Sequence, residues 1–403
     1  MKINILARPD HSLFLYKHLK KSDDLDVTLF VHDAVHQGDL IHKIKPNSKV
    51  VSKEVVVLHD LTLYKQILAF LNKCVSFNWR KFESKYSEIS YRLSINKRRV
   101  PQIIHYWPVY CHKYVKKYKE KHEIHSIGDI YEAHPEYTYP IFEREYRKYN
   151  LDIANIQTKN DMDRKLEFLS HERNVVVASE FVKRTYAKYY PDVNIYVASY
   201  GFLGNSKAIE IYRESIKIKA ITPIKNDRLR LVFLGRVSIE KGVHHLIETV
   251  SNMKDKNVSL EIVGPIVENQ EKIFKKYSKI DNITFKGAIP ANKVIEYMRN
   301  FDVQVLTSLS DNYSLSVTEG FQAGLPAIVS ENTGNFVDIQ KYNTGIVVPI
   351  LDSELLTTAI IKMKDSKGRQ EFVNNIERFI EDDSKNCYPD KIIKIYNEII
   401  NRK

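Results

Sequence analysis

Short apolar runs recur along this chain, each bounded by polar or glycine-bearing loops and separated by stretches with helical spacing. In the first half, Ile3 to Ala7, Val27 to Val31, Ile103 to His105, Ile127 to Ala133, Asn174 to Ala178 and Asn194 to Ser199 read as strands. In the second half Leu229 to Leu234, Ser259 to Val263, Ile283 to Phe285, Val303 to Leu306 and Ala327 to Ser330 do the same. Runs that stay apolar without alternating are the mark of strands covered on both faces, as in a parallel sheet. Helical spacing follows several of them, over Ser12 to Lys20, over Val243 to Met253, and in the segment that enters after Ser314 and stops at Gly324 and Pro326. Strand and helix in alternation predict an α/β protein with parallel sheets.

At 403 residues the chain is too long for one ordinary core. Residues 206–228 are polar and charged without clean periodicity and read as a linker between a domain over 1–205 and a second over 229–385. Residues 386–403 read as an amphipathic helix with Ile392, Ile393, Ile395, Tyr396 and Ile399 to bury, expected to pack back toward the first domain.

Composition narrows this only in part. A hydrophobic content of 43% with both charge signs present describes a folded chain, and the formal charge of +12 favours anionic partners: nucleotides, phospholipid surfaces or nucleic acid. Cys74, Cys111 and Cys387 are odd in number and far apart. They carry no disulfide framework and no zinc-ligand spacing, so a reducing, cytoplasmic compartment is expected. MKINILARPD runs straight into a strand without a signal-peptide core, and no apolar run is long enough to span a bilayer.

From Leu63 to Arg99 the rhythm is helical and strongly basic. Phe77, Trp79, Phe82, Tyr86 and Tyr91 alternate with Arg80, Lys81, Lys85, Arg92, Lys97, Arg98 and Arg99. Such a mixture suits the headgroup layer of an anionic membrane, and equally a core-packing helix with a solvated basic face. No helix-turn-helix or RNA-binding signature accompanies it, so a nucleic-acid partner is not expected.

Candidate chemistry gathers at the ends of the second-half strands, where parallel sheets bind their ligands. Gly235 lets the backbone turn closely after the first of them, and Arg236 and Lys241 place two cations beside it, suited to phosphate. After Leu306 the loop carries Asp311, then Tyr313, Ser314 and Leu315 open a helix, and Glu319 lies further along it. Helix-terminal N–H groups suit a diphosphate, while a carboxylate deeper in the helix suits the hydroxyls of a ribose. An N-cap loop with a solvent-facing glutamate would look the same, and both readings stand at this point. In the first half His134 and, less strongly, His105 follow strand ends. The loop Arg8 to His11 lacks the glycines of a dinucleotide-binding turn. Asp24-Leu25-Asp26 and Asp161-Met162-Asp163 spell a metal-binding Asp-x-Asp, but both lie away from strand ends.

FLGRVSIEKG, LEIVGP, ITFKGAIP and the segment Asp311 to Pro326 resemble, in order and spacing, glycosyltransferase family 4. These are retaining sugar-nucleotide enzymes of the GT-B fold, two Rossmann-like parallel-sheet domains facing each other across a crevice. The resemblance covers nearly all of the second half and is looser over the first. It implies that Arg236 and Lys241 bind the donor diphosphate, with Gly235, Gly264, Ile289, Tyr313, Ser314 and Leu315 completing the donor site. Glu319 would hold the ribose, and Asp311 would take the place of the family's sugar-contacting glutamate, one methylene shorter. Ser314 stands where the family carries a glycine. His134 matches the histidine that lies near the transferred sugar, giving a catalytic set of Asp311, His134 and Glu319. No cofactor or metal is implied. The partners implied are a nucleotide-sugar donor and a lipid-linked or oligosaccharide acceptor, with peripheral contact to an anionic membrane and no nucleic acid. The setting is assembly of bacterial surface polysaccharide (O-antigen, capsule or lipopolysaccharide) at the cytoplasmic face of the inner membrane. A GT-B protein that binds nucleotides without transfer, or a sugar-nucleotide epimerase, would share the two-domain shape.

Overall fold

A computed structural model describes residues 1–7, 15–16, 18–20, 22, 24–32, 55–58, 91–92, 95, 99–152, 166–203, 205–221, 228–253, 255 and 257–402. The loop Arg8 to His11, Cys74, Asp161 to Asp163 and all of Leu63 to Arg99 except Tyr91, Arg92, Ile95 and Arg99 lie outside the described residues.

The apolar runs form two parallel sheets. Seven strands build the first: β1 (Lys2–Ala7), β2 (Asp26–His32), β3 (Val55–Leu58), β4 (Ile103–Tyr106), β5 (His125–Ile130), β6 (Asn174–Val177) and β7 (Asn194–Val197). They are ordered β3-β2-β1-β4-β5-β6-β7. Six build the second: β8 (Leu229–Leu234), β9 (Val258–Val263), β10 (Ile283–Gly287), β11 (Val303–Leu306), β12 (Ala327–Ser330) and β13 (Gly345–Val348). Their order is β10-β9-β8-β11-β12-β13. Each order reverses once, between β1 and β4 and between β8 and β11, and a reversal leaves a crevice at the carboxyl ends of the two strands.

The described part of the stretch 206–228 is not an open linker. It carries the helix Ala208–Ile221, which packs Ala208, Tyr212 and Ile216 onto the second domain beside Val317, Phe321 and Phe379. The Tyr212 hydroxyl donates to the Val373 carbonyl at 2.8 Å. Its apolar stripe is hard to see in sequence because Ile211, Ile218 and Ile221 lie off it; Ile218 and Ile221 remain exposed.

The chain crosses between the sheets twice, after β7 and again between the helices Ser366–Lys385 and Tyr388–Asn401. The terminal helix buries Tyr388, Ile392, Ile395, Tyr396 and Ile399 against Ile3, Ile5, Leu29 and Ile103 of the first sheet. His105 belongs to this packing and not to a crevice. It is fully buried inside β4, with Nδ1 2.6 Å from the Tyr396 hydroxyl and Nε2 3.3 Å from Asp129. A histidine satisfied on both nitrogens in a core is structural.

Candidate active site

The two loops at the reversal point of the second sheet are laced together by backbone. Leu309 N–H donates to the Glu240 carbonyl at 2.8 Å, and the Thr307 hydroxyl donates to the Gly242 carbonyl at 2.9 Å. Gly242 has φ +66°, and a Cβ there would come within 1.9 Å of the Thr307 carbonyl, so only glycine admits this approach. The lacing sets the Lys241 ammonium 2.6 Å from Asp311 Oδ2, with both side chains largely buried. Asp311 is itself fixed by the next loop, where its N–H donates to the Asn332 carbonyl and its carbonyl accepts from Gly334 N–H, each at 2.9 Å. Lys241 and Asp311 are 70 positions apart, and no sequence spacing announces the pair.

Gly235 and Gly264 end β8 and β9 side by side, with φ +150° and +141°. A Cβ on Gly264 would meet the Gly235 carbonyl oxygen at 1.8 Å, inside contact distance with backbone that cannot move aside. Gly264→Ala is expected to destabilise the protein by at least about 2 kcal/mol, read as a lower denaturant midpoint at unchanged slope. Arg236 follows Gly235 and is exposed, while Ile289, after β10, is partly buried against Val263 and Met298.

The helix Leu315–Gln322 starts at Ser314, whose side chain makes no capping bond. Buried Asn335 brackets Ser314 instead: Ser314 N–H donates to Oδ1 at 2.8 Å, and Nδ2 donates back to the Ser314 carbonyl at 3.2 Å. The Ser314 amide, expected to serve a diphosphate, is therefore engaged. The Leu315 amide is the first in the helix with no hydrogen bond among the described residues. Tyr313 is buried and its hydroxyl donates to Asp338 at 2.8 Å, so it anchors the loop.

Glu319 lies four residues after Leu315, on the same face of the helix. It is partly buried, and its carboxylate has no hydrogen bond or ion pair among the described residues. Burial alone pushes its carboxyl up from 4.5 to about 7. Unpaired carboxylates in such surroundings are costly, which sets Glu319 apart from a solvent-facing helix residue.

His134 caps the helix Pro135–Arg147 in the first domain. Nδ1 accepts from Glu136 N–H at 3.2 Å, which places the ring hydrogen on Nε2, and Nε2 is buried without a partner among the described residues. Tyr189 stacks on the ring at 4.3 Å and Tyr186 meets it edge-on at 4.9 Å. Burial lowers the imidazole to about 4, so it is neutral at pH 7. From the next turn the Tyr137 hydroxyl donates to Asn332 Oδ1 at 3.0 Å, and Asn332 Nδ2 donates to the Leu309 carbonyl at 2.8 Å. Asn332 thus ties the His134 helix to the loop that carries Asp311. At its far end the same helix reaches the second domain again, where the Tyr146 hydroxyl donates to Glu240 at 2.6 Å.

Nothing in the local sequence marks Asn332 and Asn335 as site residues beyond the polar run Glu331 to Asn335 directly after a buried strand. Of the Asp-x-Asp spellings, Asp24 and Asp26 lie at the entry to β2, the sheet edge opposite a parallel-sheet crevice.

Residues 214–379 match the family model of glycosyl transferases group 1. Amylovoran biosynthesis glycosyltransferase AmsD of Erwinia amylovora is 24% identical over 254 residues, 62% of this chain and 69% of AmsD. N,N'-diacetylbacillosaminyl-diphospho-undecaprenol alpha-1,3-N-acetylgalactosaminyltransferase of Campylobacter jejuni is 24% identical over 197 residues, 48% of this chain and 52% of that protein. The chain spans about half or less of the length of most curated relatives it matches. Sucrose-phosphate synthase from Thermosynechococcus elongatus superposes with a TM-score of 0.69 at 14% identity, covering 99% of this chain and 98% of that one. HepE of Anabaena, solved in complex with UDP and glucose, does so with a TM-score of 0.60 at 12% identity over 100% of both chains. The likeness to glycosyl transferases group 1 thus lies in residues 214–379, and the fold is GT-B.

Proposed function

We propose that this protein is a retaining glycosyltransferase that moves a sugar from a nucleotide-sugar donor to a lipid-linked or oligosaccharide acceptor during assembly of a bacterial surface polysaccharide. One observation carries the reading: Glu319, partly buried and unpaired among the described residues, lies one turn inside a helix whose first amide without a bond among those residues is that of Leu315. Ribose hydroxyls would supply the donors that the carboxylate lacks, and the diphosphate would meet the amide end of the same helix.

Breaking a glycosyl–phosphate bond develops positive charge on the sugar and negative charge on the diphosphate. Arg236 and Lys241 bring two cations to the strand ends for the leaving group, so the charge is met without a metal ion. Asp311 faces Lys241 and would serve both that cation and the sugar hydroxyls. His134 is neutral, and its buried Nε2–H, unpartnered among the described residues, would be the donor offered to the sugar once the side chains over it make way. Among the described residues no second carboxylate pairs with Asp311 to act as a nucleophile or base, unlike the paired acids of retaining hydrolases. The leaving phosphate would then take the acceptor proton on the face where the bond breaks, preserving configuration.

A panel of nucleoside diphosphates and nucleotide sugars, run in EDTA, tests the donor site. Binding to the folded state alone must raise the melting temperature, and one base is expected to give a shift that Glu319→Ala abolishes. No shift with any member of the panel would overturn the reading. The Lys241–Asp311 ion pair also favours a second reading, a nucleotide-binding protein without transfer, because it already occupies the sugar-facing acid. Release of free sugar or product from a nucleotide sugar by the purified protein would exclude it.

Peripheral membrane contact through the basic aromatic stretch belongs to the same proposal. No helix among the described residues is long and apolar enough to cross a membrane. Changing Lys81, Arg92, Arg98 and Arg99 together to Gln is expected to cut binding to anionic liposomes by at least tenfold at low salt. Unchanged binding would remove the membrane from the proposal.

A further inference from the structure

Three side chains outside the donor site meet where the chain makes its second crossing between the sheets. His18 follows β1 among the helical residues Leu15, Tyr16, His18 and Leu19, and Cys387 and Asp390 open the terminal helix Tyr388–Asn401. His18 Nε2 lies 3.6 Å from Asp390 Oδ1, Cys387 Sγ lies 2.9 Å from Asp390 Oδ2, and the three ligand atoms all fall within 4.8 Å of one another. Among the described residues they are the group of His, Cys, Asp and Glu side chains gathered this closely. All three line a cavity of about 360 Å³ together with Phe202, Asn205 and Asp383 of the two crossing segments.

We propose that His18, Cys387 and Asp390 bind one divalent cation of the zinc class, which staples the hinge between the two domains. Tetrahedral coordination with bonds of about 2.0–2.3 Å sets ligand atoms roughly 3.3–3.8 Å apart. The His18–Asp390 spacing of 3.6 Å already fits, while the 2.9 Å Cys387–Asp390 contact, made to the other carboxylate oxygen, must open and the three groups draw in from within 4.8 Å. A nitrogen, a sulfur and an oxygen donor select zinc or cobalt over magnesium or calcium, which take oxygen sets. The fourth position would go to water from the cavity. On binding, the Cys387 thiol loses its proton to solvent and the thiolate joins the metal, while Asp390 exchanges the hydrogen bond it accepts from the thiol for a bond to the metal.

Helix capping accounts for part of this group but not for all of it. Asp390 accepts the Cys387 N–H at 3.0 Å, closing a capping box. Ser, Thr, Asp and Asn are the effective residues at that position, and a thiol is a weak substitute. Capping also gives no reason for His18 to lie against the same carboxylate from an element some 370 positions away. A metal accounts for all three residue types at once. It would fix the terminal helix and its crossing to the first domain, without sharing a residue with the donor site. Asp383 already locks the same crossing by accepting from Phe202 N–H at 2.9 Å and Lys391 Nζ at 3.2 Å.

The full-length protein, stripped with EDTA and dialysed, would be titrated with Co²⁺. A sulfur-to-cobalt charge-transfer band and tetrahedral visible bands should saturate at one equivalent and vanish on adding Zn²⁺. Cys387→Ser keeps a good helix cap and is expected to fold, lose the charge-transfer band, and lose the Zn²⁺-induced rise in melting temperature seen in the wild type. His18→Gln should weaken Co²⁺ binding by at least tenfold. Absence of a thiolate band at one equivalent, or its persistence in Cys387→Ser, would overturn the assignment.

Discussion

Glu319→Gln is expected to weaken nucleoside-diphosphate binding at least tenfold and, in the same protein, to raise the stability of the unliganded fold above pH 7. Both effects follow from one carboxylate. The folded protein holds its proton up to about pH 7, whereas an ordinary glutamate releases it near 4.5. Between these values the folded state binds more protons than the unfolded one, so the Glu319 contribution to stability falls as pH rises, and the full penalty is present above about 7. Gln removes the charge and with it a penalty of roughly 1–3 kcal/mol, discounted for the partial exposure of the group. Nucleotide binding runs the other way. Ribose hydroxyls favour the ionised form, so wild-type affinity should climb as pH rises from about 5 and level off above 7. Glu319→Gln should show a flat profile. Chemical denaturation at pH 5 and 8, with nucleotide titrations over the same range, checks both halves. Equal stability of the two proteins at pH 8 would mean that Glu319 is not an unpaired buried charge.

Lys241→Ala is expected to lower turnover of the nucleotide sugar by about 10²–10³-fold, the scale seen when one preorganised group is removed from a developing anion. The substitution also leaves the Asp311 carboxylate without its partner in a largely buried position, so a loss of about 1–3 kcal/mol of stability should accompany it. Asp311→Asn separates the two roles. If Lys241 serves the diphosphate and Asp311 the sugar, Asp311→Asn lowers turnover but keeps the thermal shift with the free nucleoside diphosphate, while Lys241→Ala diminishes both. A Lys241→Ala protein with wild-type turnover would show that the ion pair is a structural clasp between the loops after β8 and β11.

Much of this site can be traced to local sequence. Gly235, Gly242, Gly264, Arg236, Lys241, Asp311 and Glu319 follow recognisable strands, because a parallel strand is a continuous apolar run and its carboxyl end is where the polarity changes. Two expectations were not met for the same physical reason. The helix Ala208–Ile221 was hidden because its isoleucines lie all round it, and only packing against Phe321 and Phe379 decides which face is buried. His105 looked like a strand-end ligand until the terminal helix supplied Tyr396 from 291 positions away.

The alternation of apolar runs and helical spacing by itself determined that this is an α/β chain built on parallel sheets, since backbone geometry converts those local periods directly into strands and helices. Tertiary structure alone decided how charges and polar groups pair. It set Lys241 on Asp311, engaged the Ser314 amide with Asn335, left Glu319 without a partner among the described residues, and brought His18 to Cys387 and Asp390. Pairing energies act over a few ångströms of space, and neither the order of residues nor their spacing along the chain encodes which distant groups the fold will bring that close.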